Sequence, residues 1–149
     1  MRGKTRGFSL IELTVTIVIA GVLLDTAVRV TAPVQDSLSV DSGIGVVAAL
    51  HARARAQAVA RGTMVQLIVD PSTDIVMVFE GATVLETVDL RTTRGIDIVG
   101  SSQIRVCMTP RGFADTDCNS FNSAVTVALN RGEATSEVKL RPMGQIVIL

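Results

Sequence analysis

The stretch Phe8-Ser-Leu-Ile-Glu-Leu-Thr-Val-Thr-Ile-Val-Ile-Ala-Gly-Val-Leu-Leu24 is almost wholly apolar and carries one charged residue, Glu12. Its 17 residues lie at the short end of the length that spans a bilayer as a helix. Apolar residues continue after Asp25 toward Pro33, so the helix has room to lengthen at its outer boundary. The pattern predicts a transmembrane helix over residues 8–31.

A short basic head precedes this span. Arg2, Lys4 and Arg6 lie in it without an acidic residue. Positive charge before a span keeps that end in the cytoplasm, so the residues after the span should lie outside. We therefore predict a single-pass membrane protein whose C-terminal part is exported.

An ordinary secretory signal peptide is the first alternative. Its cleavage site needs small residues at the last and third-last positions. Cleavage after Ala27 would place Asp25 at the third-last position, and cleavage after Ala32 would place Pro33 directly after the bond. Neither site suits a signal peptidase, and signal-peptide cores do not ordinarily carry a carboxylate such as that of Glu12.

Glu12 needs a cation. A carboxylate in hydrocarbon costs about 3 kcal/mol on insertion scales. Cleavage after Gly7 would create a new amine on Phe8, one helical turn before Glu12. Between neighbouring subunits such a pair would also set the axial register, because a buried charge tolerates few arrangements. The alternative is a glutamate that extends its carboxylate to the inner membrane interface.

The segment Arg6-Gly7-Phe8-Ser9-Leu10-Ile11-Glu12-Leu13 resembles the prepilin (class III) leader of type IV pilins and type II secretion pseudopilins. The resemblance implies cleavage between Gly7 and Phe8, N-methylation of Phe8 by the same prepilin peptidase, and a role for Glu12 in assembly. It also implies an inner-membrane protein with a periplasmic domain. Its partners would be that peptidase, an inner-membrane assembly platform, membrane lipid and other pilin-like subunits in a hetero-oligomeric filament.

Residues 32–45 are polar and are interrupted by Pro33, Gly43 and Gly45, and the proline predicts a kink or an end in the helix. From residue 46 to 60 the apolar period becomes helical. One face of this helix carries Val47, Leu50, Ala54 and Ala58, whereas His51, Arg53, Arg55 and Arg61 lie at its margins or beyond. We expect that face to pack on a sheet.

After Gly62 the apolar period switches to two, which is typical of strands. The candidates are residues 64–69, 75–80, 84–90, 96–99, 104–108, 124–129, 137–141 and 145–149. The sequence therefore predicts an α+β fold in which a long N-terminal helix packs on one face of an antiparallel sheet. The predicted boundaries are a leader (1–7), a transmembrane helix (8–31), its periplasmic continuation (32–62) and a β-rich domain (63–149).

Two further segments resemble the GspH/FimT family of minor pilin-like proteins. They are residues 52–65, with small and basic residues before an Arg-Gly pair and a Val-containing strand, and residues 106–112, with a strand before Pro110-Arg-Gly112. Gly144 also fits, whereas the aromatic residues of the family's later strands are missing here. The resemblance implies a structural minor pseudopilin of a type II secretion system. The alternatives are a minor type IV pilus subunit for assembly or DNA uptake, and an anchored β-domain without a filament role.

Cys107 and Cys118 lie 11 residues apart and would form a disulfide outside the cytoplasm. The alternative is two buried, unpaired thiols. A zinc site is disfavoured because only one histidine is present. Asp115 and Asp117 lie between the cysteines, but two carboxylates make a weak calcium site. We therefore favour a solvated, disulfide-closed loop and predict no metal and no cofactor.

The sequence offers no catalytic constellation, so we predict that the protein is not an enzyme. His51 is the single histidine, and we expect it to be a solvated helix residue. The formal net charge is zero, and without the basic head 11 basic residues face 14 acidic ones, so nucleic acid is disfavoured as a partner. The DNA-uptake alternative would use a stripe formed by Arg53, Arg55 and Arg61.

Overall fold

The computed structural model describes residues 9–149, apart from the side chains of residues 28–30. The chain divides into two units, residues 1–35 and residues 36–149. In chain order, the elements are α1 (Leu10–Arg61), β1 (Val65–Asp70), β2 (Ile75–Glu80), β3 (Thr83–Asp89), α2 (Leu90–Arg94), β4 (Asp97–Val99), β5 (Ile104–Met108), β6 (Val125–Arg131), β7 (Ala134–Leu140) and β8 (Ile146–Ile148).

The strands form two antiparallel sheets rather than the single sheet that we expected. Sheet A has the order β3-β2-β1-β5, and sheet B has the order β4-β6-β7-β8. Each of the eight predicted strands has a counterpart, and the α+β class is confirmed. The error has a physical cause: apolar alternation identifies which face of a strand is buried, but it does not say which strand is its neighbour.

Helix α1 continues through Pro33, Gly43 and Gly45 without ending. Gly43 lies inside α1 at a position where the absence of a side chain has a structural role. A Cβ atom at this position would lie 2.7 Å from Cδ1 of Ile96 and 3.0 Å from Cδ1 of Leu129. The missing side chain therefore allows the helix to approach sheet B closely, which outweighs the low helix propensity of glycine.

The core of the C-terminal unit lies between α1 and the two sheets. The predicted face of α1 is confirmed, because its four residues are at most 4% exposed. His51 is a correction to our expectation, since it is only 3% exposed. The reason is helical geometry: residue 51 lies four positions after Val47 and three before Ala54, so it shares their buried face.

Arg131, at the end of β6, ties the second sheet to both helices. Its Nε lies 2.9 Å from Oδ1 of Asp36, and its Nη1 donates to Oγ of Ser39 at 2.9 Å. The same Nη1 donates to the carbonyl oxygen of Arg94, at the end of α2. Because the guanidinium is a rigid fork with several donors, one side chain can hold three separate chain segments in place.

Candidate functional site

The surface of α1 in the N-terminal unit is the first candidate site. Side chains from Ser9 to Ala27 are all exposed, and large apolar groups such as Leu10 and Leu24 are 81% and 66% accessible. Among the described residues, α1 is the one helix that is long and apolar enough to cross a membrane. An apolar surface of this extent requires lipid or other protein chains around it.

Hydroxyl groups in this segment are satisfied within the helix. Oγ1 of Thr14 donates to the carbonyl oxygen of Ile11 at 2.9 Å, and Oγ1 of Thr26 donates to that of Val22 at 2.9 Å. Thr16 donates in the same way to the carbonyl oxygen of Glu12. Because an unsatisfied hydroxyl is costly in hydrocarbon, these bonds make the segment compatible with a membrane despite its threonines.

Glu12 lies in the first turn of α1 with its side chain exposed. A carboxylate at this end of a helix interacts favourably with the free backbone N–H groups there. The sequence from Ser9 to Val28 contains no lysine or arginine, so this part of the chain provides no cation for Glu12. The predicted cleavage site at Gly7 and Phe8, with the amine proposed as its partner, lies outside the described residues.

The arginines proposed for DNA binding each have a local partner. Arg53 forms an ion pair with Glu86 on β3 at 3.0 Å, and Arg61 pairs with Glu80 on β2. Arg55 instead donates from Nη2 to the carbonyl oxygen of Gly144 at 2.6 Å. Two of the three charges are therefore opposed by carboxylates, and the third guanidinium is directed toward the turn before β8.

Cys107 and Cys118 form a disulfide with their Cα atoms 5.9 Å apart. It joins β5 to the following loop. The side chain of Asn119 also holds this loop in place through two hydrogen bonds. Asn119 accepts from the backbone N–H of Cys107 at 2.9 Å and donates to the carbonyl oxygen of Pro142 at 2.9 Å. Asp115 uses its carboxylate to accept from the backbone of Asp117 at 3.0 Å. This aspartate therefore orders the loop itself.

His51 is unsuited to general-base catalysis in the position where the structure places it. Burial lowers its pKa from 6.5 to about 4, the Arg55 charge acts in the same direction, and the Gly144 carbonyl opposes both. The imidazole is therefore neutral at pH 7 and largely shielded from solvent. Among residues 9–149, no group of three or more His, Cys, Asp and Glu side chains could hold a metal ion.

A groove between α1 and β8 is a feature that sequence reasoning missed. Ala52, Ala56 and Val59 line it from the helix, and Ile146 lines it from the strand. Its volume is about 720 Å³, which is in the range of ligand sites. The alanines recur every four residues, and this spacing can be read from the sequence. The sequence does not show that β8 lies opposite them.

Comparisons with known proteins agree with this architecture. Residues 2–24 match the family model of the prokaryotic N-terminal methylation motif. No curated protein matches the chain at a significant level. Two crystal structures of the type IV minor pilin FimU from Pseudomonas aeruginosa (strain PAO1) have a similar fold, each with a TM-score of 0.52.

The first of these structures is 13% identical and the match covers 73% of this chain and 91% of FimU; the second is 12% identical, with 74% and 87% covered. At this identity the likeness concerns the fold alone. The methylation motif is an independent observation, because it lies at the N-terminus and rests on sequence. Together, these comparisons give the chain an N-terminal methylation motif and a fold similar to that of a type IV minor pilin.

Proposed function

We propose that this chain is a structural, non-catalytic minor subunit of a filament built from pilin-like proteins. The observation that carries the proposal is an exposed apolar helix that follows a methylation motif and is continuous with a folded α+β unit. Such a helix is anchored in lipid before assembly and packs against other subunits afterwards. The disulfide supports a periplasmic place for the C-terminal unit, since disulfides persist in oxidising compartments.

Two machines use subunits of this kind. The resemblance of residues 52–65 and 106–112 to GspH/FimT proteins favours a pseudopilus of a type II secretion system. The fold shared with a type IV minor pilin favours a pilus as the second candidate. Deleting the gene in its own bacterium separates them: we expect loss of protein secretion with normal surface pili for the first, and the reverse for the second.

Processing tests the proposal at its starting point. We expect the protein extracted from membranes to begin at Phe8 and to carry one methyl group on the N-terminal amine. Mass spectrometry of the N-terminal peptide measures both features. A Gly7→Val variant, which places a branched side chain next to the scissile bond, should retain residues 1–7. A mature chain that begins after Ala27 or Ala32 would contradict the proposal, because it would lack the anchoring helix.

Glu12 provides a second test, directed at assembly. We expect Glu12→Val to insert into the membrane and to be processed normally, yet to enter filaments about tenfold less, because removing one partner of a buried ion pair leaves the other charge unopposed. Cross-linking to neighbouring subunits in intact cells measures incorporation. Glu12→Asp keeps the charge and serves as the matched control. Equal incorporation of all three proteins would exclude an assembly role for this carboxylate.

A further inference from the structure

The groove between α1 and β8 has a floor of small side chains. Ala52, Ala56 and Ala60 are spaced by four residues, so they lie in a row along one face of the helix. Val59 beside them is 53% exposed. On the opposite side, Ile146 packs partly against the core, and Ile148 on the same face of β8 is 61% exposed. Small residues on the helix leave room for side chains from outside.

Strand β8 also presents an open backbone edge. It is the last strand of sheet B and pairs on one side only, with β7. The backbone N–H of Leu149 donates to the carbonyl oxygen of Glu137, and the backbone N–H of Arg141 donates to the carbonyl oxygen of Gln145. The backbone N–H and C=O groups of the odd-numbered residues in and next to β8 therefore point toward β7. Alternation directs the N–H and C=O groups of Ile146 and Ile148 to the open edge, where no described residue bonds to them.

The ionisable side chains that line the groove are all basic. Arg55 and His51 are the ionisable residues among those that line it, and no acidic residue does. Within the described part of the chain, Nε of Arg55 and Nε2 of His51 are buried without hydrogen-bond partners. Arg141, exposed at the start of the turn before β8, donates to Oε1 of Gln145, which lines the groove, and so places a second cation beside it. A ligand that carries a carboxylate would complement this environment.

We propose that the groove is a docking site for an extended, acidic segment of another protein chain, which adds as a strand to the open edge of β8. The added strand would bond to the free N–H and C=O groups of Ile146 and Ile148. Its alternate apolar side chains would face the alanines of α1, and a carboxylate would reach Arg55. This inference concerns the C-terminal unit and does not depend on the filament role of the N-terminal helix.

A synthetic peptide tests this inference directly. The probe is a dye-labelled, amidated peptide in which every second residue can face the groove: the first two of these positions are valine, the last is glutamate, and threonine fills the positions between them. The protein is the full-length, processed chain in detergent micelles. Fluorescence anisotropy measures the dissociation constant. We expect this peptide to bind at least about tenfold more tightly than the same peptide with lysine in place of glutamate, which is about 1.4 kcal/mol.

Substitutions at the edge distinguish a strand from any other occupant. Ile148→Pro removes an N–H that faces outward and keeps the bonds to β7, so it is tolerated at an edge position. We expect it to weaken binding about tenfold, whereas Ile148→Thr, which keeps the N–H, should bind within about twofold of the parent. Ala56→Leu should also weaken binding because it fills the groove. Ala82→Leu, in the turn between β2 and β3, is its control.

A second measurement leaves the protein unchanged. A probe with N-methyl groups on alternate backbone nitrogens cannot pair with a strand edge, so we expect it not to bind. Equal binding of the methylated and unmethylated probes, or of Ile148→Pro and the parent, would overturn the inference. Sensitivity to Ala56→Leu alone would likewise overturn it, since it would indicate a helix or a detergent chain in the groove. Absence of binding at millimolar peptide would do the same.

Discussion

Replacement of Asp74 by alanine should lower the free energy of unfolding by about 3 kcal/mol, because it leaves the buried backbone N–H of Ile98 without an acceptor. The side chain is 1% exposed. Oδ1 accepts from the backbone N–H of Ile98 at 2.6 Å, and Oδ2 lies 2.7 Å from Nη2 of Arg91. One carboxylate therefore holds the turn of sheet A against α2 and against β4 of sheet B.

The backbone at Asp74 adds to this cost. Its φ of 57° is the one left-handed value outside glycine among the described residues. Aspartate and asparagine tolerate this conformation better than alanine does. Asp74→Asn keeps one acceptor and the backbone preference, so we expect it to cost about half as much as the alanine variant. Chemical denaturation of the detergent-solubilised protein measures all three proteins.

Asp97 offers a matched control, because it shares the same arginine but lies at the surface. Nη2 of Arg91 is 2.8 Å from Oδ1 of Asp97, and that aspartate side chain is 60% exposed. An exposed pair of this kind contributes about 0.5 kcal/mol or less. If Asp97→Ala destabilised the protein as much as Asp74→Ala, the stabilisation would come from the charge on Arg91 and not from the buried network.

Local patterns predicted the elements well but not their arrangement. Alternation along the chain marked β1 and β2 within a residue or so of their actual bounds. The division into two sheets depends on which strands pair across more than 20 residues, as β4 and β6 do. The sequence of one strand does not identify the strand that pairs with it. Helix α2 was also missed, because its five residues are too few to establish a period.

The candidate sites also differ in how far they could be predicted from the sequence. The motif around Gly7 and Glu12 is readable because its residues are consecutive, and their chemistry depends on spacing along one helix. The groove is not readable, because Ala56 and Ile146 lie 90 positions apart and meet only through the fold. Asp74 gave no signal either, since an aspartate in a turn is ordinarily exposed. Its burial follows from the contact between the sheets.

Acidification should destabilise the C-terminal unit through His51. Its pKa in the folded protein is about 4, below the ordinary value of 6.5 that applies to the unfolded chain. Between these values the unfolded chain binds more protons, so the free energy of unfolding rises with pH. The stabilisation is complete above pH 6.5 and is lost as the pH falls toward 4, and the full loss is about 3 kcal/mol.

The measurement is best made between pH 7 and pH 5, where His51 should account for a loss of about 2 kcal/mol. Hydrogen bonds lower the pKa values of Asp70, Glu80 and Asp89, so these three carboxylates titrate below this window. His51→Gln removes the titrating group and should flatten the dependence, even though it lowers stability at pH 7. An equal slope in both proteins would contradict the prediction, because groups other than His51 would then carry the pH dependence.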